Sequence, residues 1–348
     1  MSEFDGDLRS IQEARDLASR AFEAWKSWST ASQEQVDRVC AAMSAAALSA
    51  SERLGVHAQQ ETGYGISEHK HLKNVFAAKN VWESIKDLKS VGVVGHDPQK
   101  RIYDIAWPVG VIAALTPSTN PTSTVIFKIL IAVKARDAII IAPHPSAAGC
   151  SYETARVMAQ AAQENGAPPG LISCMQNITL PGTQELMRHK YVALILATGG
   201  TPMVRAAHST GKPAYGVGPG NVPVYVDRSA DLEKAARYIV ASKAFDCSTI
   251  CATEQAVVAD TPIAGRLASL MQQGGAYFTD ERQTDLLRKL LFHPDGSMNV
   301  ATVGKPAEYL AGLAGFEIPR GTRILVTRLQ KTGKDEPLSR EKLTTVLG

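Results

Sequence analysis

The chain has 348 residues, of which 45% are hydrophobic and 20% charged, and its formal net charge is +3. This length is expected to divide into two domains with real cores, and the scattered basic residues argue against a nucleic-acid footprint. The five cysteines, at 40, 150, 174, 247 and 251, form no disulfide framework, and the longest apolar runs, "VGVIAAL" and "AIIIAP", are too short to span a bilayer.

In chain order, the first 90 residues read as helices. Ile11, Ala14, Leu17, Ala18, Ala21, Phe22 and Trp25 recur at three-to-four spacing and make one apolar stripe. A second helix follows from about Gln33 and points Cys40 into a helix–helix contact. Lys70, Lys73, Lys79, Lys86 and Lys89 read as one wet face of helical segments. From Arg101, "RIYDIAWPVGVIAALTP" gives two strands broken at Pro108-Val109-Gly110. An alternation follows: helix 122–134, strand "DAIIIAP", helix 147–165, strand "GLISCMQ", helix 183–188, strand "VALILAT", helix 201–210. Short apolar strands alternating with helices imply right-handed crossovers and a parallel sheet covered on both faces. A second α/β region starts near Asp227 and includes "DLEKAARYIVASKAF", "AVVAD", "PIAGRLASLMQQ" and "RILVTRL", while 330–337 reads as a loop. The polar N-terminus "MSEFDGDLRSIQEARD" carries no secretory signal, so a cytoplasmic protein is expected.

"ATGG" at 197–200 closes a strand and opens a helix, where a phosphate-binding turn belongs. "GVGPGN" at 216–221 precedes a strand, and neither stretch is a G-x-G-x-x-G fingerprint. Cys247 and Cys251, in "FDCSTICATEQAVVAD", have no other half for a zinc site and lack redox spacing. No metal is expected. For these two thiols, packing and nucleophilic attack remain, and the polar, uncrowded surroundings of Cys251 suit a reacting centre.

"SKAFDCSTICATEQAVV" resembles the nucleophile segment of CoA-acylating aldehyde dehydrogenases, within the aldehyde dehydrogenase superfamily. The chain is similar to the aldehyde dehydrogenase half of bifunctional aldehyde–alcohol dehydrogenases and to single-function acetaldehyde and sulfoacetaldehyde relatives. "ETGYGISEHKHLKN", "PVGVIAALTPSTNPTSTVIFKILIAVKARDAIIIAPHPSA", "LILATGGTPMVRAAHSTGKPAYGVGPGNVPVYVD" and "EPLSREKL" extend the likeness from about residue 10 to the end. It implies an aldehyde dehydrogenase-like α/β fold. A Rossmann-type nicotinamide-dinucleotide domain would span 1–226, with an oligomerisation arm near 99–108. An incomplete catalytic domain would span 227–348, because family members continue for about another hundred residues.

The resemblance also implies roles. Cys251 aligns with the nucleophile, which attacks an aldehyde to give a thiohemiacetal and then a thioester. Asn120 aligns with the amide that helps the Cys251 backbone N–H hold the oxyanion, and Glu341 with a glutamate near the nicotinamide ribose. Taken alone, Asn120 reads as a turn residue before proline and Glu341 as a helix-start charge. Further cofactor contacts are expected at Thr116, Pro117, His144, Thr198, Gly199, Gly200 and Gly218. The cofactor is NAD or NADP, since Ala142 or His144 stands where hydrolytic relatives carry a ribose-binding lysine. Val217 replaces the glutamate with which those relatives activate water, and this favours coenzyme A as acceptor. The implied reaction is reversible oxidation of a short aldehyde to an acyl-CoA by a homodimer or homotetramer. The alternatives are sulfoacetaldehyde as substrate, a truncated non-catalytic member, and an acyl-phosphate reductase.

Overall fold

The computed structural model describes residues 5–348, which fall into two compact units. The first runs through Thr62 and resumes at Lys70–Gly218; the second comprises Gly63–His69 and Pro219–Gly348.

The first unit opens with α1 (Gly6–Trp28), α2 (Gln33–Ser49) and α3 (Ser51–Thr62), followed by α4 (Ser67–Val75), whose Lys70–Val75 part belongs here. A single π-helical turn, Phe76–Asn80, leads into α5 (Val81–Ile85). On α1 the stripe runs through Ala14, Leu17, Ala18, Ala21, Ala24 and Trp28, all buried. Ser32 starts α2 with a reciprocal capping box to Gln35. Cys40 is fully buried in the expected contact, and burial pushes its thiol up to about 12.

The strands follow. β1 (Gly92–Asp97) and β2 (Ile102–Ala106) form an antiparallel hairpin. Then come β3 (Val111–Thr116), α6 (Pro121–Lys134), β4 (Ala138–Pro143), α7 (Ala148–Glu164), β5 (Ile172–Cys174), α8 (Leu180–Arg188), β6 (Val192–Thr198), α9 (Thr201–His208) and β7 (Ala214–Val217). The sheet order is β5-β4-β3-β6-β7, every pairing parallel. Both faces of β3 and β4 are buried, which is why their sequences are unbroken apolar runs rather than alternations. Ile139, Ile140 and Ile141 have no exposed surface, and each such side chain contributes roughly 1.5–3 kcal/mol. The edge strand β7 was not foreseen, because "AYGV" is short and glycine-containing.

The chain order reverses between β3 and β6, so their carboxyl ends form the topological switch point. Lys128 on α6 is buried beneath it. Its ammonium donates to Leu115 O at 2.7 Å and Leu196 O at 2.8 Å, tying the two strands together where their pairing ends.

The second unit contains β8 (Val222–Val226), α10 (Leu232–Ala244), β9 (Glu254–Ala259), α11 (Thr261–Gln273), β10 (Ala276–Phe278), α12 (Glu281–Leu291), α13 (Ala307–Ala314), β11 (Ile324–Val326) and β12 (Val346–Leu347). β8 and β9 pair in parallel, as do β10, β11 and β12 in that order. The sequence reading closed the first domain at residue 226. The compact units divide at Gly218 instead, because β8 takes β9 as its partner. The reading also left α12 and α13 unassigned. α12 is a strongly amphipathic helix with an Asp280–Gln283 capping box, and α13 ends on Gly315 at φ 83°. No helix among the described residues is long and apolar enough to cross a membrane.

Candidate active site

The segment between α10 and β9 explains why two thiols four residues apart have different environments. Asp246, Cys247 and Ser248 are consecutive left-handed residues, at φ 48°, 49° and 64°. Residues with side chains pay roughly 1–2 kcal/mol each to stand there, and such strain persists only where the surroundings over-determine it. Here they do. The Asp246 carboxylate accepts the Ile66 backbone N–H at 2.7 Å and the Thr249 hydroxyl at 2.6 Å. Its backbone N–H donates to His69 Nδ1 at 2.8 Å, and the His69 ring stacks on Phe245 with centroids 4.5 Å apart. Gly65 leaves room for the carboxylate, since a Cβ there would fall 2.0 Å from Asp246 Oδ1. The turn buries Cys247 and leaves Cys251 exposed. Cys150 and Cys174 are buried as expected, and desolvation pushes both thiols up.

Gly220 links the nucleophile candidate to Glu341. A Cβ on Gly220 would lie 2.4 Å from the Cys251 carbonyl oxygen, so only glycine allows this approach. The Gly220 N–H donates to Glu341 Oε1 at 3.0 Å. Burial pushes the Glu341 carboxyl up, opposed by that N–H and by the charge of Lys243. Glu341 stands in irregular chain, not at a helix start.

Its segment is held from behind by a buried polar cluster that sequence reasoning missed. The Lys342 ammonium donates to Gln255 O at 2.8 Å, Leu338 O at 2.6 Å and Arg340 O at 2.9 Å. Gln255 Oε1 accepts the Lys342 backbone N–H and the Lys243 ammonium, each at 3.1 Å. Burial pushes Lys342 down to about 7 and Lys243 well below its ordinary value. In the sequence these lysines look like ordinary surface charges, and no local spacing signals their burial.

In the first unit, the expected cofactor residues gather at the carboxyl ends of the parallel strands. Thr116 ends β3 beside Pro143, His144 follows β4, and Thr198 ends β6 beside Val217. Pro117 follows Thr116 directly. The Thr116 hydroxyl is buried without a hydrogen-bond partner at the switch point, a fit for a dinucleotide bound across this crevice. Gly200 caps the start of α9. Gly199 spends its N–H on Val217 O at 3.1 Å, so that amide joins β7 rather than standing ready for a phosphate. Gly218 has open space where a Cβ would stand. His144 is exposed, with Nδ1 2.7 Å from Ser146 Oγ.

Asn120 precedes α6 without capping it through its side chain. Its Oδ1 accepts the Lys73 ammonium at 2.6 Å, and its Nδ2 donates to Thr119 Oγ1 at 3.3 Å. The wet-face reading of the lysines therefore fails at Lys70 and Lys73, which are 2% and 8% exposed. With Asn74 they form one face of α4, turned onto the 119–122 segment. The structure thus assembles Cys251, Gly220 and Glu341 in the second unit, and Asn120 with the strand-end residues in the first.

A family model described as the aldehyde dehydrogenase family matches residues 5–275. The aldehyde-alcohol dehydrogenase of Streptococcus pneumoniae is 44% identical over 312 residues; the match covers 87% of this chain and 35% of that protein. The crystal structure of an acetylating aldehyde dehydrogenase from Geobacillus thermoglucosidasius is 48% identical with a TM-score of 0.96, covering 99% of this chain and 76% of that one. A propionaldehyde dehydrogenase from Rhodopseudomonas palustris, solved with bound CoA and an acylated cysteine, is 28% identical with a TM-score of 0.84, covering 96% of this chain and 76% of that one.

Proposed function

The chain belongs to the aldehyde dehydrogenase family, and on that premise we propose that its protein oxidises a short aldehyde to the acyl-CoA with NAD or NADP as oxidant. The observation that carries this reading is the Cys251 turn: an exposed thiol just after the braced, left-handed run at 246–248, with Gly220 against the Cys251 carbonyl and Glu341 bonded to the Gly220 N–H. The Cys251 thiolate attacks the carbonyl carbon, and the carbonyl electron pair moves to oxygen. The Asn120 amide donates to that oxyanion, a contribution worth roughly 3–4 kcal/mol when the donor is preorganised. A bound nicotinamide would supply the hydride acceptor that takes the Cys251 thiohemiacetal to a thioester. Thr116, Pro117, His144, Thr198, Gly199, Gly200, Gly218 and Glu341 are proposed to hold the dinucleotide, Gly199 through groups other than its amide. CoA thiolate then attacks the thioester and releases acyl-CoA and the free thiol.

Coenzyme A is favoured over water because Val217 stands where a general base would be needed, and such a base is typically worth about 10²–10⁴-fold. In the same reading the first unit carries the dinucleotide, the second the nucleophile, and the β1–β2 hairpin joins subunits in a cytoplasmic homo-oligomer. The test supplies aldehyde and NAD without CoA and follows NADH and carboxylic acid. A burst near one NADH per active site, then arrest until CoA is added, is expected. Sustained acid production would return the protein to the hydrolytic branch.

A further inference from the structure

We propose that Lys73 is a positioning residue that sets the polarity of the Asn120 amide; this rests on the role proposed for Asn120 above. An asparagine just before a helix normally turns its side-chain oxygen onto the N–H groups of the first turn. Asn120 does not cap α6, although Pro121 starts that helix directly after it. Its oxygen is held instead by the Lys73 ammonium at 2.6 Å.

An ammonium has donors and no acceptor. Turning the amide over would set its NH₂ against the NH₃⁺, so the contact selects one of the two amide orientations. In that orientation Nδ2 is the donor end of the amide, and one of its two N–H groups reaches Thr119 Oγ1 at 3.3 Å. The positive charge on Oδ1 also draws electron density from the amide and strengthens its N–H groups as donors.

The whole contact is built in. Lys70, Lys73 and Asn74 share one face of α4 by their spacing, and each holds a different part of the 119–122 segment. The Lys70 ammonium donates to Thr119 O at 3.1 Å. Asn74 Oδ1 accepts the Thr122 hydroxyl at 2.7 Å, while its own amide nitrogen donates to Ser51 O at 2.9 Å. α4 thus holds the Thr119 carbonyl and the Thr122 hydroxyl on either side of Asn120, and Lys73 holds the oxygen of the amide itself.

The experiment measures the NADH burst in a single turnover of the native full-length protein and its variants, with aldehyde and NAD and without CoA. Asn120→Ala should slow the burst about 10²–10³-fold. Lys73→Met should slow it about 10–100-fold with the aldehyde KM changed less than threefold, and Lys73→Arg should recover most of the loss. The double variant Lys73→Met/Asn120→Ala should be within threefold of Asn120→Ala alone, because two residues acting through one group are not additive. A Lys73→Met loss below tenfold, or a double variant slowed by the product of the single losses, would overturn the proposal. Lys73→Gln, whose amide can donate or accept and so fixes nothing, carries the same test if Lys73→Met does not fold. The burst needs no acyl acceptor, so failure of the CoA assignment would appear separately, as acid formed by the native protein.

Discussion

Two other residues, Cys247 and Gly220, bear on the role proposed for Cys251. Cys247 is buried in a left-handed turn, whereas Cys251 is exposed four residues later. Iodoacetamide is therefore expected to label Cys251 and spare Cys247. Cys251→Ala should abolish turnover, and Cys247→Ala should retain at least part of it; preferential labelling of Cys247 would reverse the assignment. Gly220 makes a sharper case. A single added methyl would press to 2.4 Å of the Cys251 carbonyl while the same residue's N–H holds Glu341. Gly220→Ala should shift both and slow the NADH burst by at least tenfold, since small misplacements at a reacting centre cost about 10²-fold. Its melting temperature should fall as well, because the added Cβ meets backbone and the loop must move to admit it. A burst at native speed would show that the loop relaxes without moving the thiol.

At the scale of elements, the β1–β2 hairpin and the residue just past it carry a run of exposed apolar side chains. Ile102, Tyr103, Ile105 and Trp107 are 50%, 60%, 62% and 78% exposed, and an exposed apolar strand normally finds a partner. Native protein is expected to be a dimer or tetramer in light scattering. Replacing Tyr103 and Ile105 together with lysine should lower its mass toward the monomer and leave the fold of each unit intact by circular dichroism. A native monomer would remove the hairpin from that role. Helices and buried strands of this unit were legible in the sequence because their hydrophobic period is set locally. The wet-face assignment of Lys70 and Lys73 failed for the converse reason. Helical spacing places them on one face of α4, but what that face meets is contributed by residues 119–122, some fifty positions away.

Across the whole molecule, burial of charge gives stability an unusual pH profile. Desolvation pushes Lys128 and Lys342 down to about 7 and Asp137 up to about 7. Between pH 7 and the unfolded lysine value near 10.4, the unfolded chain binds more protons at the lysines, so stability rises with pH. Between the unfolded aspartate value near 3.9 and pH 7, the native state binds more protons at Asp137, so stability falls as pH rises. Each group contributes a slope of at most about 1.4 kcal/mol per pH unit in its window. Below pH 7 the fall from Asp137 is opposed by Lys243, whose ammonium burial pushes well below its ordinary value. Urea midpoints should rise from pH 7 to pH 9, and Lys128→Met should flatten that rise; a midpoint that stays level or falls between pH 7 and 9 in the native protein would contradict this accounting of buried charge.

The sequence by itself determined the α/β class, the parallel alternation around "VGVIAAL" and "AIIIAP", and the burial of Cys40, Cys150 and Cys174, and its family segment is what proposes Cys251. Periodicity and motif are properties of neighbouring residues, so they survive without coordinates. The tertiary structure alone decided the rest. The left-handed run at 246–248 is stable only because Gly65 and Ile66 receive the Asp246 carboxylate from 180 positions away. The buried ammonium groups of Lys243 and Lys342 depend on Gln255, and the orientation of Asn120 depends on Lys73. Each of these is a long-range polar contact whose partner is fixed by how the chain folds back, and a linear pattern carries no record of that return.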